Sequence, residues 1–346
     1  PEPEPEPEPE PVPDPGGPTE PDPKPEPEPE PLVSPKQIVP SGLMAAMMAN
    51  DMFTENMMQR RALSLQADEW SFWTSGFGGT QKVGTDGFID GWDGDTNGYS
   101  VGAERLVAAG GTPVLLGLAA GYSETSLTSG FSYGKAESYH VGGFANASFD
   151  ALFLAGALSY AWQDYNFERG IVGPTSSTIA YSETEGTSWT LKAEAFYDLL
   201  WSGSREGLGL GPVLTVDART GQYDAFKETN AGILNLNYPD EEATLPVIGL
   251  GGAGTWNTML NGLELDADMR VVWEAVDGHR TINAYAFLDV ENADFSPRSA
   301  LLDANRVAVG TSLKLHLTKD VYAQVRYDTT QGENLVEHEG WAGISI

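Results

Sequence analysis

The chain has 346 residues, a formal net charge of −31 and no cysteine. Without cysteine there are no disulfides and no thiolate metal centres, and the acidity argues against a nucleic-acid partner, which needs clustered Lys and Arg. No run of 18 apolar residues occurs, so no transmembrane helix is expected.

Residues 1–40 hold 17 of the 23 prolines. In PEPEPEPEPE each Pro removes an N–H donor and disfavours the α region for the residue before it. Residues 1–40 are therefore expected to form a stiff, solvated polyproline II spacer, rising about 3.1 Å per residue. The chain begins inside this repeat and shows no signal peptide, so further sequence upstream is expected.

The stretch PSGLMAAMMANDMFTENMMQRRALSLQ predicts a helix over 41–66, capped by Ser41, inside a linker unit of residues 41–68. About 26 residues at 1.5 Å each give roughly 39 Å, near the thickness of a bilayer with its interfaces. Asn50, Asp51, Glu55, Asn56, Gln59, Arg60 and Arg61 interrupt it, so it is not a lipid-facing span. Met44, Met48 and Met52 recur at helical spacing and read as a packed face.

From residue 69 the period changes to two. In LFLAGALSYAW (152–162), Leu152, Leu154, Leu158, Tyr160 and Trp162 share one face, opposite Ala155, Ala157, Ser159 and Ala161. TPVLLGLAAGY, SWTLKAEAFYDLL, LELDADMRVVW and RVAVGTSLKLHL alternate in the same way. The apolar face is large and ends in Tyr or Trp, while the other mixes small residues with charges. This is the polarity of an outer-membrane strand, with lipid outside, a wet lumen inside and aromatic girdles at the interfaces. The lumen-facing candidates are Glu104, Lys192, Glu194, Glu264, Asp266, Asp268, Arg270, Glu274 and Lys314.

Twelve strands fit residues 69–346, an even number as bacterial barrels require. Long gaps near 80–95, 166–185, 222–242 and 277–301 alternate with short ones near 108–111, 149, 201–206, 258–261 and 318. INAYAFLDV (282–290) also alternates and is assigned to a hairpin-like extension of an outer loop. The expected fold is thus an all-β, 12-stranded antiparallel up-and-down outer-membrane barrel with one N-terminal helix in its lumen.

DGDTNGYSVGAE (93–104) fits a calcium-loop pattern. An EF-hand needs flanking helices, whereas here an extended segment would carry Glu104 about 20 Å from Gly98, too far to share an ion with Asp93. Asp86–Asp95 reads as an acidic outer loop and Glu104 as a lumen residue. No metal or cofactor is expected.

The order of elements resembles the C-terminal translocator barrel of type V autotransporters of Gram-negative bacteria. The resemblance rests on WSFWTSGFGG, NGYSVGAERL, VLLGLAAGYSE, SYHVGGFANASFDALFLAGALSYAWQDYN, GLGLGPVLTVDARTGQYDAFKE and the terminal HEGWAGISI. It covers residues 41–346 and implies an outer-membrane translocator that anchors and exports an N-terminal passenger, is then plugged by the helix, and carries the spacer at the cell surface. It implies a monomer, outer-membrane lipids, the passenger and the barrel-assembly machinery as partners, and Trp341, Ile344 and Ile346 as the assembly signal. Members usually end in an aromatic residue, but this chain ends in Ile.

Arg60 and Arg61 are expected to meet the lumenal acids. Self-cleavage at Asn50 or Asn56 is not expected, because the Asn-Asn motif of self-cleaving members is missing. Two other readings stay open: an outer-rim hydrolase built on His279 with Asp277 or Asp294, and a passive porin or adhesin barrel.

Overall fold

The computed structural model describes residues 38–58, 70–87, 89–110, 112–173, 177–203, 207–278, 282, 286–288, 294–295, 297–318 and 321–346. One helix, α1 (Ile38–Met58), precedes β1 (Trp70–Val83), β2 (Trp92–Ala109), β3 (Thr112–Ser129), β4 (Ser132–Phe149), β5 (Leu152–Val172) and β6 (Ser177–Tyr197). There follow β7 (Gly207–Tyr223), β8 (Phe226–Lys227), β9 (Leu236–Tyr238), β10 (Glu241–Leu260), β11 (Leu263–Val276), β12 (Ala286–Leu288) and β13 (Asp294–Phe295). The last three are β14 (Asn305–His316), β15 (Tyr322–Gln331) and β16 (Leu335–Ser345).

Twelve strands close a barrel, β1 to β7 followed by β10, β11, β14, β15 and β16, with every neighbour antiparallel. The closing seam pairs Trp73 with Ser345 through to Val83 with Leu335, and Phe72 and Ile346 exchange both backbone hydrogen bonds beyond it. Closure satisfies the strand N–H and C=O groups without water, which is the condition for crossing hydrocarbon. Among the described residues no helix is long and apolar enough to cross a membrane.

The outward faces carry the large apolar side chains. Tyr99, Tyr122, Tyr139 and Trp162 are register partners across β2–β5, with ring centroids 6.0 and 5.3 Å apart for the two tyrosine pairs. Phe149, Tyr197 and Trp256 are exposed near the opposite end. From Tyr139 to Phe149 along a tilted strand is roughly 25 Å, the height of a lipid-facing band. Between the two aromatic rows the outward positions are Val141, Leu158, Leu118 and their like.

At one end, the turn end, hairpins are tight. Asn261 and Gly262 both have positive φ (52° and 85°), the mirror-image turn that matches strand twist. At the other, the loop end, the structure departs from the expected loops. β5 and β6 run to Val172 and from Ser177, so most of 166–185 is strand, and 80–95 shrinks to the connection between β1 and β2. The alternation persists there with a changed outward face: Asp164, Asn166 and Glu168 face out while Tyr165, Phe167 and Arg169 stay buried. The lipid-like face stops near Trp162, but the strands run on because the inner face still has a partner to pack on. Asp93 and Asp95 accordingly lie on β2 and not in a loop; Lys82 reaches Asp93 across the pair at 3.4 Å.

The described part of INAYAFLDV, Ile282 and Ala286–Leu288, stays out of the wall. β12 pairs with β9 and β13, and β8 with β9, making a small four-stranded cap over the loop end. Phe226 stacks on Tyr238 at 4.8 Å beneath it, and Arg169 from β5 reaches Glu228 with two hydrogen bonds, 2.7 and 2.6 Å, and donates to the Leu234 carbonyl at 2.8 Å. Removing one member of so buried a pair costs about 3–5 kcal/mol. Arg169→Met should therefore speed protease cutting within 224–240 by about a hundredfold or more, read on the folded protein in micelles, while the barrel stays resistant to cold SDS.

The candidate functional site: a charged rod inside the lumen

Every residue of α1 is buried, polar and apolar alike, because the barrel surrounds it. It starts at Ile38, three residues before the expected 41, and Pro40 sits in its first turn, where a missing N–H costs nothing. Ser41 lies inside the helix and is not its cap. The N-terminal half packs in an apolar collar at the loop end: Ile38, Val39, Leu43, Met44 and Met47 contact a cluster including Leu127, Tyr165, Phe167, Tyr223, Leu245 and Leu335. The C-terminal half packs Met52, Phe53, Met57 and Met58 against Trp73, Phe77, Leu115, Phe144 and Trp341. Glycines in the wall make room for some of the long side chains. A Cβ on Gly142 would stand 2.5 Å from Met57 Cε, and one on Gly221 2.6 Å from Met47 Cγ.

Two i, i+4 pairs carry the polar contacts. Asn50 and Thr54 meet neutral groups. Ser159 Oγ donates to Asn50 Oδ1 at 3.0 Å, His140 Nδ1 contacts the same oxygen at 3.1 Å, and Asn50 Nδ2 donates to Thr190 Oγ1 at 3.3 Å. Since that oxygen can only accept, His140 carries its proton on Nδ1, and Nε2 takes the Ser123 hydroxyl 2.9 Å away. Asp51 and Glu55 meet cations. Asp51 pairs with Lys192 and Arg219, both at 2.8 Å; Glu55 pairs with Lys192 at 2.8 Å, Arg326 at 2.9 Å and Arg270. The cations come from β6, β7, β11 and β15, and each also has an anion on the wall: Asp217 for Arg219 and, at 4.0 Å, for Lys192, Glu194 for Arg270 and Asp328 for Arg326. Asn56 Nδ2 donates to Ser100 Oγ at 2.7 Å, and Trp341 Nε1 to the Met52 carbonyl at 3.1 Å.

Asn50, Asp51, Glu55 and Asn56 are thus all engaged with the wall, and Arg60, Arg61 and His279 lie outside the described residues. The expected pairing of Arg60 and Arg61 with lumenal acids falls outside the described residues; among the described residues, acids on the rod meet bases on the wall. All nine lumen candidates do face inward, and Lys192 and Arg270 form ion pairs with α1. Glu194 acts through Arg270, Glu274 holds Arg306 at 2.6 Å, and Tyr322 Oη donates to the buried Glu104 at 3.4 Å. Glu264, Asp266, Asp268 and Lys314 lie toward the turn end, where Asp266, Asp268 and Lys314 border a cavity of about 120 Å³. Of the three residues of the expected assembly signal, Ile344 and Ile346 face outward, while Trp341 faces the lumen, because it is an odd number of strand positions away from both. Arg219, Arg326, Asp217, Asp328 and His140 are not among the sequence candidates, and Trp341 is there only as part of the assembly signal. Strict alternation in VLTVDARTG and YAQVRYDTT already places the four charges on one face; what sequence lacks is the cross-barrel partner.

A closed, lipid-banded barrel with a buried charged helix through its lumen defines a class, the outer-membrane translocators. A family profile described as autotransporter beta-domain matches residues 72–328, and the chain belongs to that family. It is 21% identical over 301 residues to an extracellular serine protease of Serratia marcescens; the match takes in 85% of this chain and 28% of that protein. Among solved structures it is similar to the translocator domain of the autotransporter NalP from Neisseria meningitidis (TM-score 0.65, 12% identity, 88% of this chain and 96% of that one). It is also similar to the beta domain of the Bordetella autotransporter BrkA (TM-score 0.57, 19% identity, 80% and 99%). A third is the transport unit of AIDA-I from Escherichia coli (0.53, 12%, 87% and 98%). The protein is an outer-membrane translocator unit.

Glu55→Ala leaves Lys192, Arg270 and Arg326 without their shared anion, a loss of about 3–5 kcal/mol in helix seating. In planar bilayers the variant should open more often and to a larger conductance than the parent, while Glu168→Gln on the exposed wall behaves as the parent does.

Proposed function

We propose that this unit carries an N-terminal passenger outward through the lumen and is then closed by α1, with the loop end at the cell surface. The observation that supports this most is the course of α1. Its first residue, Ile38, is wholly buried among loop-end residues such as Val83 and Leu335, so the helix has its N-terminus at that end. The Pro/Glu-rich segment before it then lies outside the cell, between the barrel and the passenger.

Seating α1 is downhill. Its methionines, Leu43 and Phe53 lose contact with water, each worth about 1.5–3 kcal/mol, and Asp51 and Glu55 exchange hydration for four fixed cations. Sliding back would expose both sets of groups, so the final step of export resists reversal. We take the unit to be a monomer whose outward Ile344 and Ile346 serve recognition by the barrel-assembly machinery. The passenger's activity is not a property of these residues, and the protease similarity covers under a third of that relative.

Two measurements test the reading. A signal peptide and a reporter placed before residue 1 should give a reporter that protease removes from intact cells. A reporter held in the periplasm while the barrel resides in the outer membrane would overturn export. The helix should stay intact: Asn50 Nδ2 is engaged by Thr190 and its Oδ1 by Ser159 and His140, so cyclisation would have to break these contacts. Intact mass of the folded protein should show no break after Asn50 or Asn56.

A further inference from the structure

The turn end of the lumen carries a group of side chains that plays no part in seating α1. In the β10–β11 register Asn257 stands opposite Asp266; in the β11–β14 register Leu265 pairs with Leu315 and Asp266 with Lys314, which sets Glu264 and His316 on adjoining inward positions. Three strands thereby bring two carboxylates and an imidazole to one patch of wall. One ligand atom from each of Glu264, Asp266 and His316 lies within 4.8 Å of the other two. We propose that Glu264, Asp266 and His316, gathered from β11 and β14 beside the turn-end cavity, form a binding site for a divalent first-row transition ion of the zinc class.

Four features carry this. His316 Nε2 is 3.0 Å from Asp266 Oδ2, the separation of two ligands that each lie about 2.1 Å from one ion and subtend roughly a right angle. The donor set is one nitrogen and two oxygens with a combined charge of −2, which suits a borderline ion; calcium and magnesium favour shells built from oxygen alone. His316 is 6% exposed, so its ring is held in place by packing and needs little reordering to bind. The adjoining cavity of about 120 Å³, bordered by Asn257, Asp266, Asp268 and Lys314, has room for several waters and gives an ion an aqueous approach.

At present Asn257 Nδ2 donates to Glu264 Oε1 at 2.8 Å and to Asp266 Oδ1, clamping the two carboxylates together. An incoming cation would take over that role. Turning the amide over would then offer its oxygen as a fourth donor. A bound ion would tie β11 to β14, and through Asn257 to β10, at the turn-end mouth, reinforcing the side-chain contacts already there.

The test uses the full chain folded in detergent and cleared of metal with EDTA. Titration with ZnCl2 by calorimetry should give one ion per chain with low-micromolar affinity or better, unaffected by millimolar CaCl2 or MgCl2. CoCl2 should produce ligand-field absorption between about 500 and 650 nm. His316→Ala and Glu264→Gln should each weaken zinc binding at least tenfold, while His338→Ala, on the outward face, keeps it. Heat-modifiable migration in SDS gels establishes that each variant is folded. If the parent shows no cobalt band, if His316→Ala binds zinc as the parent does, or if calcium competes on equal terms, the assignment is wrong.

Discussion

Two carboxylates sit on a helix that is enclosed by protein and, beyond it, by lipid. An isolated anion there would lose its hydration at a cost of several kcal/mol even after relaxation. Lys192, Arg219, Arg270 and Arg326 make the position of Asp51 and Glu55 tenable, and they reach the rod from four strands spread round the wall. Each arginine needs its own counter-charge when no helix is present, which explains the Asp217, Glu194 and Asp328 partners beside them. The alternation of acid and base along β7, β11 and β15 follows from that requirement. Because the cations converge from several directions, only one depth and one rotation of α1 satisfies them. The lock therefore specifies position more than it adds stability.

Sealing is left to the other half of the rod. Around Ile38, Leu43, Met44 and Met47 the wall is aromatic and aliphatic and is covered by the small β8–β9–β12–β13 sheet. Apolar contacts are non-directional and tolerate small slips, so they exclude water without fixing register. The charged half fixes register but leaves room for water beside Lys192, Glu194 and Arg270. The two halves divide the work of a stopper, and each is built from the side chains suited to its part.

Much of this was legible in the sequence. Period two, the even strand count and the outward Tyr and Trp positions gave the barrel, and the right face was read for all nine lumen candidates. Strand lengths at the loop end were not legible, because Asp164, Asn166 and Glu168 end the lipid-like face without ending the strand. The wall cations of the lock were not legible for a related reason. Arg60 and Arg61 stand out in the helix sequence, whereas the bases that hold Asp51 and Glu55 are scattered from residue 192 to residue 326 and look unremarkable one at a time. Trp341 was read as part of a terminal signal because sequence shows its neighbours in the chain but not Met52, which it touches across the lumen.

The wall is uneven in height. β5 and β6 share 21 residue pairs, while β14–β15 and β15–β16 share 10 each and the seam 11. Fewer rungs make that low arc the more compliant part of the cylinder. The helix leans by packing on the high side, β3 to β7, and reaches the low arc through Arg270, Arg326 and Trp341. Seated, it works as a cross-brace, tying the pliable arc to the stiff one and sharing any inward or outward strain between them. A vacant cylinder of this shape would flex most beside the join between its first and last staves, which is where the brace is anchored by an indole.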